Sequence, residues 1–204
     1  MSLLNLDLDE LLTTTRAVRR RLDLERPVPH ELIEECLRVG LQAPTSSNEQ
    51  SWQFVVVTDS ALRAGVADLY RRATEGYFDN PDPAAARNIR SGSYLTAHLH
   101  EVPVHVIPCI PGRTEGASVP EQAATWASII PATWSFMLAA RARGLGTAWT
   151  TFHLDYEREV ADLLGIPYED YMQVALIPVA FTRGTDFQPA ERKAVAEIVH
   201  WDRW

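Results

Sequence analysis

A long stretch from about Pro120 to Arg143 is apolar on almost every side, and it restricts the possible folds more than any other feature of the chain. Its large side chains are those of Trp126, Ile129, Ile130, Trp134, Phe136, Met137 and Leu138. A helix without a polar face has to be enclosed, so we expect it at the centre of the core or in an interface between subunits. Gly144-Leu145-Gly146 is expected to end it, because glycine adopts the left-handed conformation that closes helices.

Shorter elements surround this helix in a partly alternating order. Residues 30–42 place apolar side chains on one helical face, and the Phe-Val-Val-Val run within 52–58 predicts a strand buried on both faces. Further patterns predict helices at 60–76, 93–101 and 155–164, the last capped by Asp155, strands at 102–110, 147–151 and 171–181, and a mobile loop at 77–92 that covers a pocket.

Length and composition predict one domain spanning residues 1–204 and exclude several functions. With 46% hydrophobic and 23% charged residues, the composition is that of a soluble globular protein. The net charge of −8 argues against a nucleic-acid partner, because phosphate backbones require a basic face. No apolar run is expected to span a membrane, and residues 1–12 do not resemble a targeting peptide. Cys36 and Cys109 lie in apolar runs, as expected for buried thiols in a reducing cytoplasm.

Residues 16–21 read Arg-Ala-Val-Arg-Arg-Arg, a positive patch in an acidic chain. Such a patch suits a small anion such as a phosphate; alternatively, it is a solvated turn paired with Asp23 and Glu25. Neither a Gly-x-Gly-x-x-Gly turn nor a phosphate-binding P-loop is present. A nucleotide-like cofactor would therefore have to be held at its phosphate by side chains.

A second polar feature is the stretch from Ala43 to Phe54, between the helix at 30–42 and the first strand. Three hydroxyls and two amides fall within six positions: Thr45, Ser46, Ser47, Asn48 and Gln50. This density of donors and acceptors suits a flat heterocycle with polar edges. The alternative is a turn that only reverses the chain.

Three motifs occur in an informative order: Thr15-Arg16-Ala17-Val18-Arg19, then Ala43-Pro44-Thr45-Ser46-Ser47-Asn48-x-Gln50-x-Trp52-x-Phe54, then Gly144-Leu145-Gly146-Thr147. With the basic pair Arg192-Lys193, they make the chain resemble the FMN-dependent nitroreductase family over about residues 10–200. The resemblance implies an α+β fold with a central, mainly antiparallel sheet wrapped by helices. It also implies a domain-sharing homodimer with one FMN in each of two clefts built by both subunits.

The resemblance also assigns cofactor-binding positions near the two chain ends. Arg16 and Arg19 match the N-terminal cations of the family, with Arg19 toward the polar edge of the flavin or its phosphate. Ala17 replaces a frequent serine, so that its backbone N–H is left to serve the phosphate. Arg192, with Lys193 beside it, matches the C-terminal basic group on the phosphate.

Other cofactor-binding positions lie in the middle of the chain. The loop that reaches the flavin from the partner subunit corresponds to Pro44, Thr45, Ser46, Asn48 and Gln50. Ser128 matches a residue that the family points at the cofactor. Trp149, Thr150 and Thr151 match the segment that lies against the ring and offers backbone N–H groups toward N5. Thr151 stands where the family has an acid, which bears on substrate preference.

The implied activity is a ping-pong reaction in which NADH or NADPH gives hydride to FMN and an electron-poor acceptor, such as a nitroaromatic or quinone, takes the electrons. No catalytic side chain is expected, because position and electrostatics suffice while the flavin carries out the chemistry. The alternatives are a same-fold flavin enzyme of another chemistry (dehalogenase, flavin-consuming or dehydrogenase type) and an inactive flavin-binding protein.

The remaining polar and aromatic residues carry weaker signals. His98, His100, Glu101 and His105 fit no zinc spacing, so we expect no metal. Tyr77 and Phe78 either line the substrate side or anchor their loop. The apolar residues of the tail at 182–204 are expected to pack on the body of the chain or on a second subunit.

Overall fold

The computed structural model describes residues 3–79 and 86–204, without the side chains of residues 86 and 87. Within these described residues, six helices and five strands follow the order α1 (Leu8–Thr14), α2 (His30–Gly40), β1 (Gln53–Val57), α3 (Ser60–Ala73), α4 (Ala86–His98), β2 (Val104–Pro111), α5 (Val119–Ala142), β3 (Leu145–Thr147), α6 (Glu157–Leu164), β4 (Tyr171–Gln173) and β5 (Ile177–Phe181). Short 3₁₀ turns lie at Ser46–Asn48, Leu99–Glu101, Phe152–Tyr156 and Val195–Glu197. The α+β class expected from the sequence is confirmed.

The five strands form one sheet in which each strand pair is antiparallel. Four of them follow the order β1-β2-β5-β3, and β4 pairs with β2 outside this path. Strand β2 is the centre. It pairs with β1 along one edge, and with β5 and then β4 along the other. Pro108 lies where β2 passes from β5 to β4, a position where its missing N–H costs no ladder bond on that edge. Its carbonyl accepts from the Val174 N–H at 2.9 Å.

Helices cover both faces of the sheet. On one face, Val104 and Val106 of β2 pack with residues of α2 and α5, among them Cys36 and Phe136. On the other face, the alternating position Ile107 packs with residues of α3, α4 and α6. The result is a three-layer arrangement in which α5 lies in one outer layer and buries one face on the sheet. Its Ile130 and Trp134 remain 42% and 40% exposed, so the single chain does not enclose this helix as its apolar surface predicts.

Several sequence expectations are wrong in detail. Strand β1 is not buried on both faces, since it lies at the sheet edge and Val56 is 37% exposed. The single strand expected at 171–181 is divided into β4 and β5. Asp155 does not cap a helix, because a 3₁₀ turn ends at Tyr156, which is the residue before α6. Residues 86–92 belong to α4 and not to a loop, while residues 80–85 of that expected loop lie outside the described residues.

Helix α5 also corrects the expectation that no apolar run approaches a membrane span. By length and composition alone it could cross a membrane. It packs instead within the protein, with Ile129, Ala132, Phe136 and Met137 buried. Core helices of soluble proteins often pass the same test, so this helix is weak evidence for a membrane.

Candidate functional site

Residues 16–21, the arginine segment, lie along the sheet edge next to β3. Ala17 forms a parallel bridge with Thr147, and the Val18 N–H donates to the Thr147 carbonyl at 2.8 Å. Leu22 forms a second bridge with Thr182. Val18 and Leu22 are buried, so the segment is held by backbone bonds and by two apolar anchors. The turn between the two bridges carries Arg19, Arg20 and Arg21.

Gly146 allows the arginine segment to lie this close to the sheet. A Cβ atom at this position would be 2.7 Å from Thr182 Cγ2, 3.0 Å from Leu22 Cδ2 and 3.0 Å from Val18 Cβ. Distances this short require the neighbours to move. The Gly144-Leu145-Gly146 motif therefore has two roles: Gly144, at φ +77°, follows α5, and Gly146 admits the arginine segment.

The C-terminal segment meets the arginine segment through polar contacts. Arg16 Nη1 donates to the Gln188 carbonyl at 2.9 Å. Arg21 pairs with Asp186, and its Nε donates to the Arg183 carbonyl at 2.9 Å. Residues about 170 positions apart are thereby brought together.

These contacts surround a cavity of about 1230 Å³, here called the arginine cavity. Its lining comprises Thr15, Arg16, Ala17, Val18, Arg19, Arg20, Arg21, Asn88, Arg90, Ser91, Trp134, Asp186, Phe187, Gln188 and Arg192. Four of the residues singled out from the sequence are thus brought together: Arg16, Ala17, Arg19 and Arg192. Lys193 does not line the cavity, and its side chain is exposed.

Arg141, near the end of α5, lies outside the cavity lining and links the N-terminal segment to the C-terminal segment. It is only 4% exposed, and its Nη2 donates to Thr14 Oγ1 at 3.3 Å and to the Thr185 carbonyl at 3.0 Å. Its guanidinium lies 4.8 Å from the centroid of the Phe187 ring. Burial lowers the pKa of Arg141, but an arginine pKa starts so high that the group stays charged.

The polar loop, residues 44–50, lies apart from the arginine cavity. The Ser46 N–H donates to Ser128 Oγ at 2.9 Å, which links the loop to α5. Gln50 Nε2 donates to Asn48 Oδ1 at 3.1 Å. Ser47, Asn48 and Gln50 all have positive φ, between 51° and 56°. Residues with side chains rarely adopt this conformation, and such strain is typical of functional segments.

None of the polar-loop residues lines the arginine cavity of the same chain. The side chains of Pro44, Ser46, Asn48 and Gln50 are exposed, and that of Thr45 is half-buried. The single chain therefore separates the predicted contacts into two groups.

The segment Trp149–Thr151 follows β3 and differs in part from the expectation. The Thr150 N–H donates to the Leu176 carbonyl at 3.1 Å, so it is not among the N–H groups that this segment can offer to a ligand. Thr150 Oγ1 lies 2.9 Å from the buried Tyr70 hydroxyl. Trp149 is half-buried against the core, whereas Thr151 is exposed.

Tyr70 connects this segment to the arginine segment. Burial raises the pKa of the Tyr70 hydroxyl, and the hydrogen bond with Thr150 and the positive charge of Arg19 oppose that rise. An influence of Arg19 on this pKa requires the two groups to be close. Arg19 itself lines the arginine cavity, and it follows Val18, whose N–H bonds to the Thr147 carbonyl two residues before Trp149.

Aromatic side chains surround Phe152, the residue after Thr151. Tyr77 lies 4.7 Å from Phe152 and 5.0 Å from Phe78, between ring centroids. Tyr70 contacts Phe152 edge-on at 5.7 Å. Tyr77 and Phe78 thus anchor the end of α3 onto the segment that carries Thr151, and Tyr77 remains 61% exposed.

Two other polar regions lie outside the arginine cavity. His98 Nδ1 lies 2.6 Å from Glu101 Oε1, but residues 3–79 and 86–204 contain no cluster of three metal-binding side chains. A cavity of about 510 Å³ lies between α3 and α4, lined by Arg71, Arg72, Thr74, Glu75, Gly76, Phe78, Asp79, Ser93, Thr96 and Ala97. Its charges are mixed, so it offers no comparable anion site.

Sequence reasoning missed part of the arginine cavity. Arg20 and Arg21 belong to the basic run at 16–21 that the sequence already indicates as a possible anion site, but the family resemblance assigned them no contact. Arg90 and Trp134 had no such signal, because they are brought to the cavity by α4 and α5.

Comparison with known proteins agrees with this architecture. The nitrobenzene nitroreductase of Ectopseudomonas oleovorans is 30% identical in an alignment 202 positions long, gaps included, that covers 82% of this chain and 83% of that protein. The 5,6-dimethylbenzimidazole synthase of Rhodospirillum rubrum is 31% identical in an alignment of 176 positions that covers 79% of this chain and 76% of that protein. A crystal structure of iodotyrosine deiodinase bound to FMN and 3-iodo-L-tyrosine matches the fold with a TM-score of 0.74 at 22% identity, covering 97% of this chain and 100% of that one.

The sequence model of the nitroreductase family matches residues 12–181, from within α1 to the end of β5. This match covers well over half of the chain, and it includes the bridge between Ala17 and Thr147 that holds the arginine segment. The protein therefore belongs to the nitroreductase family.

Proposed function

We propose that the protein is an FMN-dependent oxidoreductase that takes electrons from NADH or NADPH and reduces an electron-poor acceptor such as a nitroaromatic or a quinone. One observation carries the proposal: Arg16, Arg19 and Arg192, from the two ends of the chain, line one cavity. The nitroreductase relative supports the choice of acceptor, and the FMN-bound deiodinase with the same fold supports the choice of cofactor.

The donor set of the cavity fits a flavin mononucleotide at its phosphate. A phosphate monoester carries a charge of about −1.5 to −2 at pH 7, and guanidinium groups bind it through paired hydrogen bonds. Arg16 and Arg192 would hold this group. Arg16 is already oriented by its bond to the Gln188 carbonyl, which reduces the entropy lost on binding.

The ring would lie near Arg19 and the segment Trp149–Thr151. When bound, FMN supplies the redox chemistry, since it takes hydride from a reduced nicotinamide and passes electrons to an acceptor. Arg19 supports that chemistry as a nearby cation that favours added negative charge. The Thr150–Tyr70 hydrogen bond fixes the segment behind Thr151, and exposed Thr151 is left to face the ligand.

No side chain is proposed as a nucleophile. Burial raises the pKa of Cys36 to about 11 and that of Cys109 to about 12, so both thiols stay protonated at neutral pH. Both are free and buried, which also supports a cytoplasmic location.

We also propose that the protein acts as a homodimer and that the polar loop of one chain completes the site of the other. Two observations support this arrangement. The polar loop lies outside the arginine cavity of its own chain. The tail leaves a set of apolar side chains uncovered, namely Val195, Ile198, Val199, Trp201 and Trp204. A monomeric mass in sedimentation equilibrium would contradict the shared site.

The decisive experiment is spectroscopic. The purified protein, or the protein after addition of FMN, should be yellow and should bleach anaerobically with NADH or NADPH. It should recover its colour when a nitroaromatic or a quinone is added. Protein that takes up no FMN contradicts the proposal. Yellow protein that neither nicotinamide bleaches supports the alternative of a binding protein.

The same experiment separates the chemistries found among the relatives, which include a deiodinase and a dimethylbenzimidazole synthase. The reduced protein should be mixed in turn with a nitroaromatic, a quinone and an iodinated phenol. Reoxidation by the iodinated phenol alone, with release of iodide, would replace nitro reduction by dehalogenation.

A further inference from the structure

The arginine cavity contains more positive charge than the proposed cofactor needs. Six arginines line it (Arg16, Arg19, Arg20, Arg21, Arg90 and Arg192). Among the described residues of the lining, Asp186 is the only acid, and it pairs with Arg21. Five guanidinium groups thus lack an acidic partner among the residues that line the cavity, in a chain whose net charge is −8.

A flavin phosphate accounts for only some of these cations. Its charge of about −2 at most is matched by Arg16 and Arg192. We assign Arg19 to the ring side, because it follows Val18, whose N–H bonds to Thr147 just before the segment Trp149–Thr151. Arg20 and Arg90 remain. Both are exposed, so they carry no desolvation penalty that a structural partner would have to offset.

Arg90 differs from the other arginines in its origin. It belongs to α4, whereas the others come from the two chain ends, and α4 also contributes Asn88 and Ser91 to the lining. One helical turn therefore supplies a guanidinium, an amide and a hydroxyl. These groups together are hydrogen-bond donors for a carboxylate or a phosphate.

The cavity also has aromatic walls and additional space. Trp134, which is 40% exposed, and Phe187 line it. Its volume of about 1230 Å³ exceeds the roughly 300–1,000 Å³ of a typical small-molecule site. A second molecule with an aromatic ring and an anionic group would match the walls, the space and the remaining charge.

We propose that the electron acceptor of this protein is an aryl anion, a carboxylate or a phosphate, and that Arg90 selects it. The inference rests on the proposed function, since it concerns the second substrate of the same cavity. Arg90 acts as a specificity-determining residue: it pairs with the anionic group of the acceptor, and the cofactor does not require it.

The test compares two acceptors that differ mainly in charge, para-nitrobenzoate and para-nitrobenzyl alcohol, with the FMN-loaded protein. The wild type should favour the anion in kcat/KM by about tenfold or more, as expected for a charged hydrogen bond. Arg90→Gln should reduce this preference by a similar factor and retain the FMN content. Arg38→Gln, the same charge change on the exposed face of α2, should retain the preference.

Binding without turnover provides an independent measurement. Benzoate should perturb the absorbance of the oxidised flavin and give a lower Kd than benzyl alcohol, and Arg90→Gln should abolish that difference. Raising the ionic strength should weaken benzoate binding only, because salt screens charge pairs.

The anionic group could instead belong to the nicotinamide donor, so the two half-reactions are measured separately. If Arg90→Gln slows anaerobic reduction by NADPH relative to NADH and leaves the acceptor preference intact, the inference is overturned. It is also overturned if the wild type bleaches normally but treats both acceptors alike, a result that leaves the proposed function standing. Protein that takes up no FMN overturns both.

Discussion

The arginine cavity and the polar loop use opposite means to hold polar groups. The arginine cavity is preformed, because two backbone bridges fix the arginine segment to the sheet, and Arg16 and Arg21 hold the C-terminal segment. The polar loop is exposed and bonds mainly to itself, apart from the contact between Ser46 and Ser128. It keeps three side-chain-bearing residues in a left-handed conformation.

This difference indicates which half of the site a single chain can build. Charged groups need a rigid support to bind an anion without a large entropy loss, and the sheet edge provides it. The loop stores conformational strain, of order 1–3 kcal/mol per residue, that no contact with the arginine cavity relieves in one chain. We therefore expect anion binding to be a property of the chain and ring binding to be a property of the dimer.

Acidification should produce the largest effect, and it acts on the sheet that supports the arginine cavity. Two histidines are fully buried, His105 in β2 and His153 in the 3₁₀ turn Phe152–Tyr156. Burial lowers the pKa of His105 to about 4 and that of His153 to about 3. The unfolded chain binds these protons at about pH 6.5, so stability is complete above that pH and falls as pH drops toward the two folded-state values. The loss is about 1.4 kcal/mol per pH unit for each histidine.

Urea unfolding between pH 7.5 and 5 measures this slope. His153→Leu should remove about half of the pH-dependent loss of stability. His30→Gln, at the exposed first residue of α2, should leave that loss unchanged. A midpoint independent of pH in this window would show that neither histidine is buried in its neutral form.

Gly146→Ala should loosen the arginine segment while leaving the polar loop intact. The new methyl group would meet Thr182 Cγ2 at 2.7 Å, and overpacking of this kind typically costs about 1–3 kcal/mol. Both the FMN affinity, measured by flavin fluorescence, and the stability, measured by thermal unfolding, should fall. Adding Thr182→Ser removes the nearest methyl group and should restore part of both. No rescue would mean that the strain arises at Val18 or Leu22.

Arg16→Ala and Arg192→Ala should weaken FMN binding by roughly 1.5–3 kcal/mol each, or about 10- to 100-fold in Kd, the usual effect of losing a charged hydrogen bond. Arg38→Ala is the matched control on another face. Fluorescence titration at several protein concentrations shows whether the loss is independent of dimerisation, as the preformed arginine cavity requires. Equal affinity in all four proteins would place the phosphate elsewhere.

Asn48→Ala should have the smallest effect, about 0.5–1.5 kcal/mol in FMN affinity, because a neutral hydrogen bond is lost. This loss should appear only at protein concentrations where dimers form. The control is Glu49→Ala, at the neighbouring exposed position. A loss of FMN affinity that persists in a monomeric sample would show that the polar loop contributes to the site of its own chain, as the arginine cavity does.

Apolar patterns predict much of the fold from the sequence, because burial depends mostly on local periodicity. Helix α5 and its glycine stop follow directly from residues 120–146, and α2 follows from its apolar face. The break between β4 and β5 was not predictable, since it depends on where β2 changes partner at Pro108. The start of α4 was missed as well, because its polar sequence, rich in arginine and serine, resembles a loop.

The candidate site divides in the same way. The basic run at 16–21 and the polar loop are visible as motifs, but only the resemblance to a family joined Arg16 to Arg192. Nothing in the local sequence of Arg90 or Arg141 indicates a place in or beside the cavity, since each is positioned by its helix. The occupied N–H of Thr150 was hidden for a similar reason: its acceptor, Leu176, lies 26 positions later.

The union of both chain ends in one cavity has a consequence for biosynthesis. Arg21 leaves the ribosome long before Arg192, and at roughly 5–20 residues per second the interval is about 9–34 s. During that time the nascent polypeptide lacks Arg192 and carries five of the six arginines that line the cavity. A product truncated before Arg192 would keep all five strands but lose one of the two arginines proposed for the phosphate, so tight cofactor binding would report that translation has passed that point.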